Sequence, residues 1–159
     1  AGLEMARRYF ANIAPATVHD AQSFFHTTQA RVKAWLAKLP VSSAECGGRT
    51  YYFIGNGREY GKSIPKCLLL AGFDQLMLGY EKAESLYLPP EHLRGIFNLA
   101  GIVLPAVLID GKVVGKWKKD SKTLRVTPFE RIPKRALAAV ERKAGELWDD
   151  FSVLALEEE

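Results

Sequence analysis

The sequence predicts an α+β protein: a winged helix-turn-helix followed by a second helix-plus-β-hairpin, winged-helix-like unit. Three observations carry this expectation. Three short amphipathic segments precede two strand-like runs joined by Gly47-Gly48, a second pair of such runs flanks Asp110-Gly111, and a glycine-rich polar stretch separates the halves. Helix, helix, helix, hairpin is the order of a winged helix, and both dipeptides suit the positive φ of a two-residue hairpin loop. At 159 residues and 17.7 kDa the chain can bury a core without metal or disulfide support. The expected boundaries are a winged helix over 1–54, a linker over 55–63, a second unit over 64–152 and an acidic tail over 153–159.

In the first half, Leu3, Ala6, Phe10 and Ile13 recur at helical spacing until Pro15 ends the run. Thr17 followed by Asp20 reads as a capping box with a shortened acid, opening a second helix whose stripe is Val18, Ala21, Phe24 and Phe25. Thr27 or Thr28 caps a third, where Val32, Trp35, Leu36 and Leu39 form one face before Pro40. Strands are expected over 41–46 and 49–54.

In the second half, Lys66 to Leu70 reads as a buried strand and Phe73 to Gly79 as a short helix or turn. Leu88-Pro89-Pro90-Glu91 breaks the chain before a helix near 91–99. Strands over 104–109, 112–119 and 123–128 then make a meander. A closing helix starts near Pro133 and presents Leu137, Val140, Ala144, Leu147, Trp148 and Phe151 on one face. The tail from Glu157 is expected to fray.

Composition excludes several classes. With 48% hydrophobic, 25% charged and 11% aromatic residues, the chain is neither collagen-like nor disordered. Its longest nearly uncharged stretch, Cys67 to Met77, is too short to span a bilayer. The start Ala1-Gly2-Leu3-Glu4 lacks both a signal-peptide pattern and an initiator Met, which points to a trimmed piece of a longer protein. Cys46 and Cys67 form no C-x-x-C pair and read as free buried thiols of a cytoplasmic protein. His19, His26 and His92 have no ligand spacing and read as incidental, so neither metal nor cofactor is expected.

Charge gives the first pointer to a partner. From Gly111 to Lys143 there are eleven Lys/Arg against three Asp/Glu, whereas the rest of the chain has eleven against fifteen. Such asymmetry favours a polyanion, with double-stranded DNA as the leading partner. Two footprints follow. The third helix turns Gln29, Arg31 and Lys33 outward, either toward a DNA groove or as an ordinary solvated face. The Asp110-Gly111 hairpin carries Lys112, Lys116, Lys118 and Lys119, which would neutralise phosphates without reading sequence. Trp117 either stacks on a base or packs beneath the closing helix. Gly61-Lys62-Ser63 is no P-loop, because Asn56 stands where the pattern needs glycine and Pro65 interrupts the following helix.

Three segments carry a family resemblance: Arg7-Arg8-Tyr9-Phe10 with Ala14-Pro15-Ala16-Thr17 and Asp20; Gly72 to Tyr80; and Pro105 to Trp117. Together they resemble the winged-helix DNA-binding domain family that includes the bacterial AlkZ-like and YcaQ-like DNA glycosylases. The resemblance implies tandem winged-helix units around a DNA-holding channel, in proteins that excise alkylated or crosslinked bases. It also implies a catalytic Gln-x-Gln or Gln-x-Asp in an N-terminal part. Gln22, Gln29 and Gln75 are followed two places on by Phe24, Arg31 and Met77, so that signature is absent here. The chain also departs from the family at Ala83, near which relatives commonly place an arginine.

The resemblance therefore implies the middle and C-terminal portions of such a protein: a DNA-binding fragment inactive alone, with no catalytic residue of its own. Whether the full-length parent is a glycosylase stays open. Asp74 is then a candidate channel wall, or simply a carboxylate capping a turn. The alternative reading is a non-catalytic winged-helix DNA binder or transcriptional regulator.

Overall fold

The computed structural model describes residues 1–55 and 65–157. The expected linker, with Gly61-Lys62-Ser63, lies almost entirely outside the described residues. Those described form a mixed α+β fold with six α-helices and two sheets. They divide into two compact units, one of residues 1–55 with 75–84 and one of 65–74 with 85–157.

The first unit opens with α1 (Gly2–Asn12), α2 (Val18–Phe25) and α3 (Gln29–Leu36). The capping box read from the sequence is formed: the Asp20 amide donates to Thr17 Oγ1 at 3.0 Å and the Thr17 amide to Asp20 Oδ2 at 2.8 Å. Thr28, rather than Thr27, caps α3. The hairpin pairs β1 (Ser42–Cys46) with β2 (Arg49–Phe53) across Gly47 and Gly48, whose φ values are 58° and 74°. Ala16 and Tyr52 exchange backbone hydrogen bonds at 3.1 and 2.8 Å, so the chain between α1 and α2 adds a third rung beside β2. Tyr9, Phe10, Ala16, Ala21, Val32 and Leu36 form the core, with Phe24, Phe25 and Trp35 packed around it.

A later segment completes this unit. Residues 75–84 include α4 (Gln75–Leu78) and a 3-10 turn at Lys82–Glu84. They attach through three long-range hydrogen bonds. The buried Tyr9 hydroxyl donates to the Gly79 carbonyl at 2.7 Å, the Tyr80 hydroxyl donates to the Ile13 carbonyl, and the Glu81 amide donates to Asp20 Oδ1 at 2.9 Å. Glycine is required at 79, because a Cβ there would stand 2.5 Å from Ile13 Cγ2. By order along the chain this segment belongs with the second half. Side chains 60 or more residues upstream in the chain hold it in the first.

In the second unit β3 (Cys67–Leu70), β4 (Ala106–Ile109), β5 (Lys112–Asp120), β6 (Thr123–Pro128) and β7 (Val153–Leu156) form one sheet in that order. All neighbours are antiparallel except β6 and β7, which are parallel. Asp110 and Gly111 turn the central hairpin at φ 48° and 79°. The expected meander is present. It is not, however, the wing of a second helix-plus-hairpin unit: β3 and β7 extend it on both edges to five strands. Residues 153–156, expected to begin a loose tail, instead pair with β6, because Val153 to Leu156 offers a short apolar run to its open edge.

α6 (Lys134–Leu147) lies on one sheet face through Ala139, Val140 and Ala144, packed with Cys67, Val107, Leu124 and Val126. Small alanines let helix and sheet approach closely. Leu147, expected on the packed face, is half exposed in the last turn. The helix expected near 91–99 is shorter, a 3-10 turn at Pro90–His92 running into α5 (Leu93–Ile96).

Candidate nucleic-acid interface

The face of α3 follows from its burial pattern. Val32 and Leu36 are fully or nearly buried, which commits one side of the helix to the core and leaves Gln29, Arg31 and Lys33 exposed. Gln29 and Lys33, one turn apart, line a groove of about 410 Å³ together with His19 at the start of α2 and Arg49 and Thr50 on β2. Arg31 is exposed and is not among the residues lining it. Glu84 also lines the groove: its Oε2 lies 3.2 Å from His19 Nδ1 and 3.2 Å from Arg49 Nη1. Arg49 Nη1 also donates to the Glu84 carbonyl at 3.4 Å.

Sequence reading missed three members of this constellation. His19, incidental by its spacing in the sequence, faces the groove with an acid beside it. Arg49 carried one available signal, a cation immediately after the Gly-Gly turn of a hairpin. Glu84 carried none, because it reaches the site from a segment far along the chain. Of the other histidines, His26 closes α2 in the left-handed conformation and His92 pairs with Glu130 at 3.0 Å. Among the described residues no group of three or more His, Cys, Asp or Glu could hold a metal ion.

In the second unit the expected lysine footprint is divided. The register between β4 and β5 shifts at Val107/Leu108, pairing Val107 with Gly115 and Leu108 with Val113, so Val114 is an extra residue. Beyond this bulge, residues of alternating parity face opposite sides of the sheet. Trp117 and Lys119 fall on the α6 side. The Trp117 ring lies 5.4 Å from that of Trp148 and its Nε1–H donates to the Leu70 carbonyl at 2.9 Å, which is a packing role. Lys119 meets Asp150 at 2.9 Å, and its hydrogen bond holds the Asp150 carboxyl below the usual carboxylate range.

Lys116 and Lys118 fall on the opposite face. Lys118 pairs with Glu157 at 3.3 Å, and so does Arg125, the residue directly across from it on β6. Lys112 donates to the Leu86 carbonyl at 2.7 Å. The hairpin therefore presents no single row of cations. Asp74, half-buried, sits immediately before α4.

The thiols separate as well. Cys67 is buried and its thiol is pushed up by that burial to about 11, whereas Cys46 is exposed, contrary to the expectation that both are buried. No helix among the described residues is long and apolar enough to cross a membrane.

Comparison with known proteins places this architecture. An interstrand DNA cross-link repair glycosylase of Streptomyces sahachiroi is 29% identical over 146 residues, covering 87% of this chain and 39% of that protein. The solved structure of the Streptomyces sahachiroi DNA glycosylase AlkZ matches with a TM-score of 0.74 at 27% identity, over 99% of this chain and 45% of its own. The chain thus spans less than half the length of the relatives it matches. The family model for the DNA glycosylase AlkZ-like proteins matches residues 1–149, and this chain belongs to that family.

Proposed function

We propose that this chain is a DNA-binding portion of a winged-helix repair glycosylase, holding duplex DNA while base excision depends on a Gln-x-Gln or Gln-x-Asp that its sequence does not contain. One observation carries this reading. The third helix of a three-helix, hairpin unit buries Val32 and Leu36 and turns Gln29, Arg31 and Lys33 to solvent beside a groove shared with the hairpin. That is the placement by which a winged helix brings cations and an amide to phosphates and base edges. In the second unit, Lys116 and Lys118 are the lysines proposed to add phosphate contacts. Lys118 is the more exposed of the paired lysines, its contact to Glu157 lying at the surface. Lys112 and Lys119 are bound to the Leu86 carbonyl and to Asp150, and Trp117 is packed on Trp148; these three are assigned none.

The chemistry agrees with a holding role. Cleaving an N-glycosidic bond leaves a sugar with oxocarbenium character, so a group must place water and stabilise positive charge beside the accessible base. No amide or carboxylate pair in the groove is proposed for that task, since Glu84 is tied to His19 and Arg49.

Two assays test the reading. Binding to random-sequence duplex, followed by fluorescence anisotropy across salt, is expected to weaken steeply and to show little sequence preference. A strong preference for one sequence would favour the regulator. Incubation with alkylated duplex is expected to release no base; turnover by this chain would overturn the placement of the chemistry elsewhere.

A further inference from the structure

The groove of the first unit holds more positive than negative character, and its one acid occupies the place an anion would take. His19 comes from the first turn of α2, Lys33 from α3 and Arg49 from β2, so three elements direct cationic or proton-bearing groups into one space. Thr17, the N-cap of α2, and Val18, its first residue, also line it. Glu84 meets His19 and Arg49 through the same oxygen, Oε2, at 3.2 Å each. All three side chains keep between a third and a half of their surface open to solvent, so the contact is reachable and exchangeable rather than sealed. A carboxylate oxygen and a phosphodiester oxygen are alike as anionic acceptors for a guanidinium or an imidazole N–H.

We propose that this groove is a backbone-phosphate subsite for duplex DNA, occupied in the free protein by the Glu84 carboxylate, which a phosphodiester displaces from His19 and Arg49. The inference rests on the duplex-binding reading above and adds to it a specific site and a competing internal anion. Lys33 and Gln29, which line the same groove from α3, supply further donors once the phosphate enters. With the backbone held by the Glu81 amide on Asp20, only the Glu84 side chain need rotate away.

The test is a mutant cycle on random-sequence duplex at low salt. Glu84→Gln is expected to tighten binding by about two- to five-fold, the scale of a partly exposed ion pair. Arg49→Gln is expected to weaken binding and to reduce the salt slope by about 0.9, one phosphate contact. In the Arg49→Gln background, Glu84→Gln should give no more than Glu141→Gln, a control that removes one exposed acid from α6. Titrating duplex into the wild-type chain should also shift the NMR signals of the His19 ring, a readout that needs no variant. Tightening by Glu84→Gln that equals the Glu141→Gln control, or persists without Arg49, would overturn the subsite, as would an unmoved His19 ring in a chain that binds DNA. If the wild-type chain shows no salt-dependent binding at all, the duplex-binding reading itself falls, and the subsite with it.

Discussion

The two hairpins of this chain turn alike and live differently. Each reverses on two residues of positive φ, Gly47-Gly48 in one and Asp110-Gly111 in the other. Every residue of β1 is exposed, and among the described residues the hairpin's further pairing is the isolated Ala16–Tyr52 bridge on β2. In the second hairpin Ala106, Val107 and Leu108 are at most 1% exposed, because β3 and β6 flank it and α6 covers one face. The cation of the first hairpin, Arg49, has a partly exposed acid, Glu84, as its partner and stays reachable from solvent. A cation on a hairpin in mid-sheet finds its partners inside the unit, as Lys119 does with Asp150.

Stability measurements sharpen this contrast most strongly. Leu124→Ala, at a fully buried site in the sheet, should cost about 2–5 kcal/mol in urea unfolding, whereas Ser43→Ala on the free hairpin should stay within about 0.5 kcal/mol. Equal costs would break the comparison. Gly115→Ala comes next, at about 1–3 kcal/mol, because a Cβ would stand 2.7 Å from the Thr127 carbonyl oxygen and 3.0 Å from Pro128 Cα, both on the fixed backbone of the neighbouring strand.

Smaller effects follow. Thr17→Ala removes the cap of α2 and should lower the stability of the first unit by about 1 kcal/mol. The smallest perturbation to the fold is chemical labelling. A thiol raised to about 11 is protonated below that pH and reacts only as its thiolate, so Cys67 should resist iodoacetamide at neutral pH and gain reactivity as pH approaches about 11. Exposed Cys46 should label first, as read by mass spectrometry. Prompt labelling of Cys67 would mean the sheet core opens more readily than its packing indicates.

Local signals in the sequence were legible because their physics is local. Thr17 with Asp20, Gly47-Gly48, Asp110-Gly111 and the apolar stripe of α3 each act within four residues, and the elements they predict are present. What escaped depends on distance along the chain. The pairing of Val153–Leu156 with β6, the return of Gly79 to Tyr9 and the arrival of Glu84 beside Arg49 join residues about 30 to 70 positions apart. The lysine-rich stretch misled for a related reason: counting charges over 111–143 ignores the β5 bulge, which sets Lys119 and Lys118 on opposite faces, and ignores the acids Asp150 and Glu157 waiting further on. The exposure of Arg31 and Lys33 was legible because helical spacing alone fixed which side of α3 is buried.

The most direct test is the salt dependence of random-duplex binding by the wild-type chain, the Arg31→Gln/Lys33→Gln double variant and Lys119→Gln. The account predicts that the double variant reduces the slope by about 1.8, two contacts of about 0.9 each, while Lys119→Gln leaves it unchanged. An unchanged slope in the double variant, with a reduced one for Lys119→Gln, would contradict it.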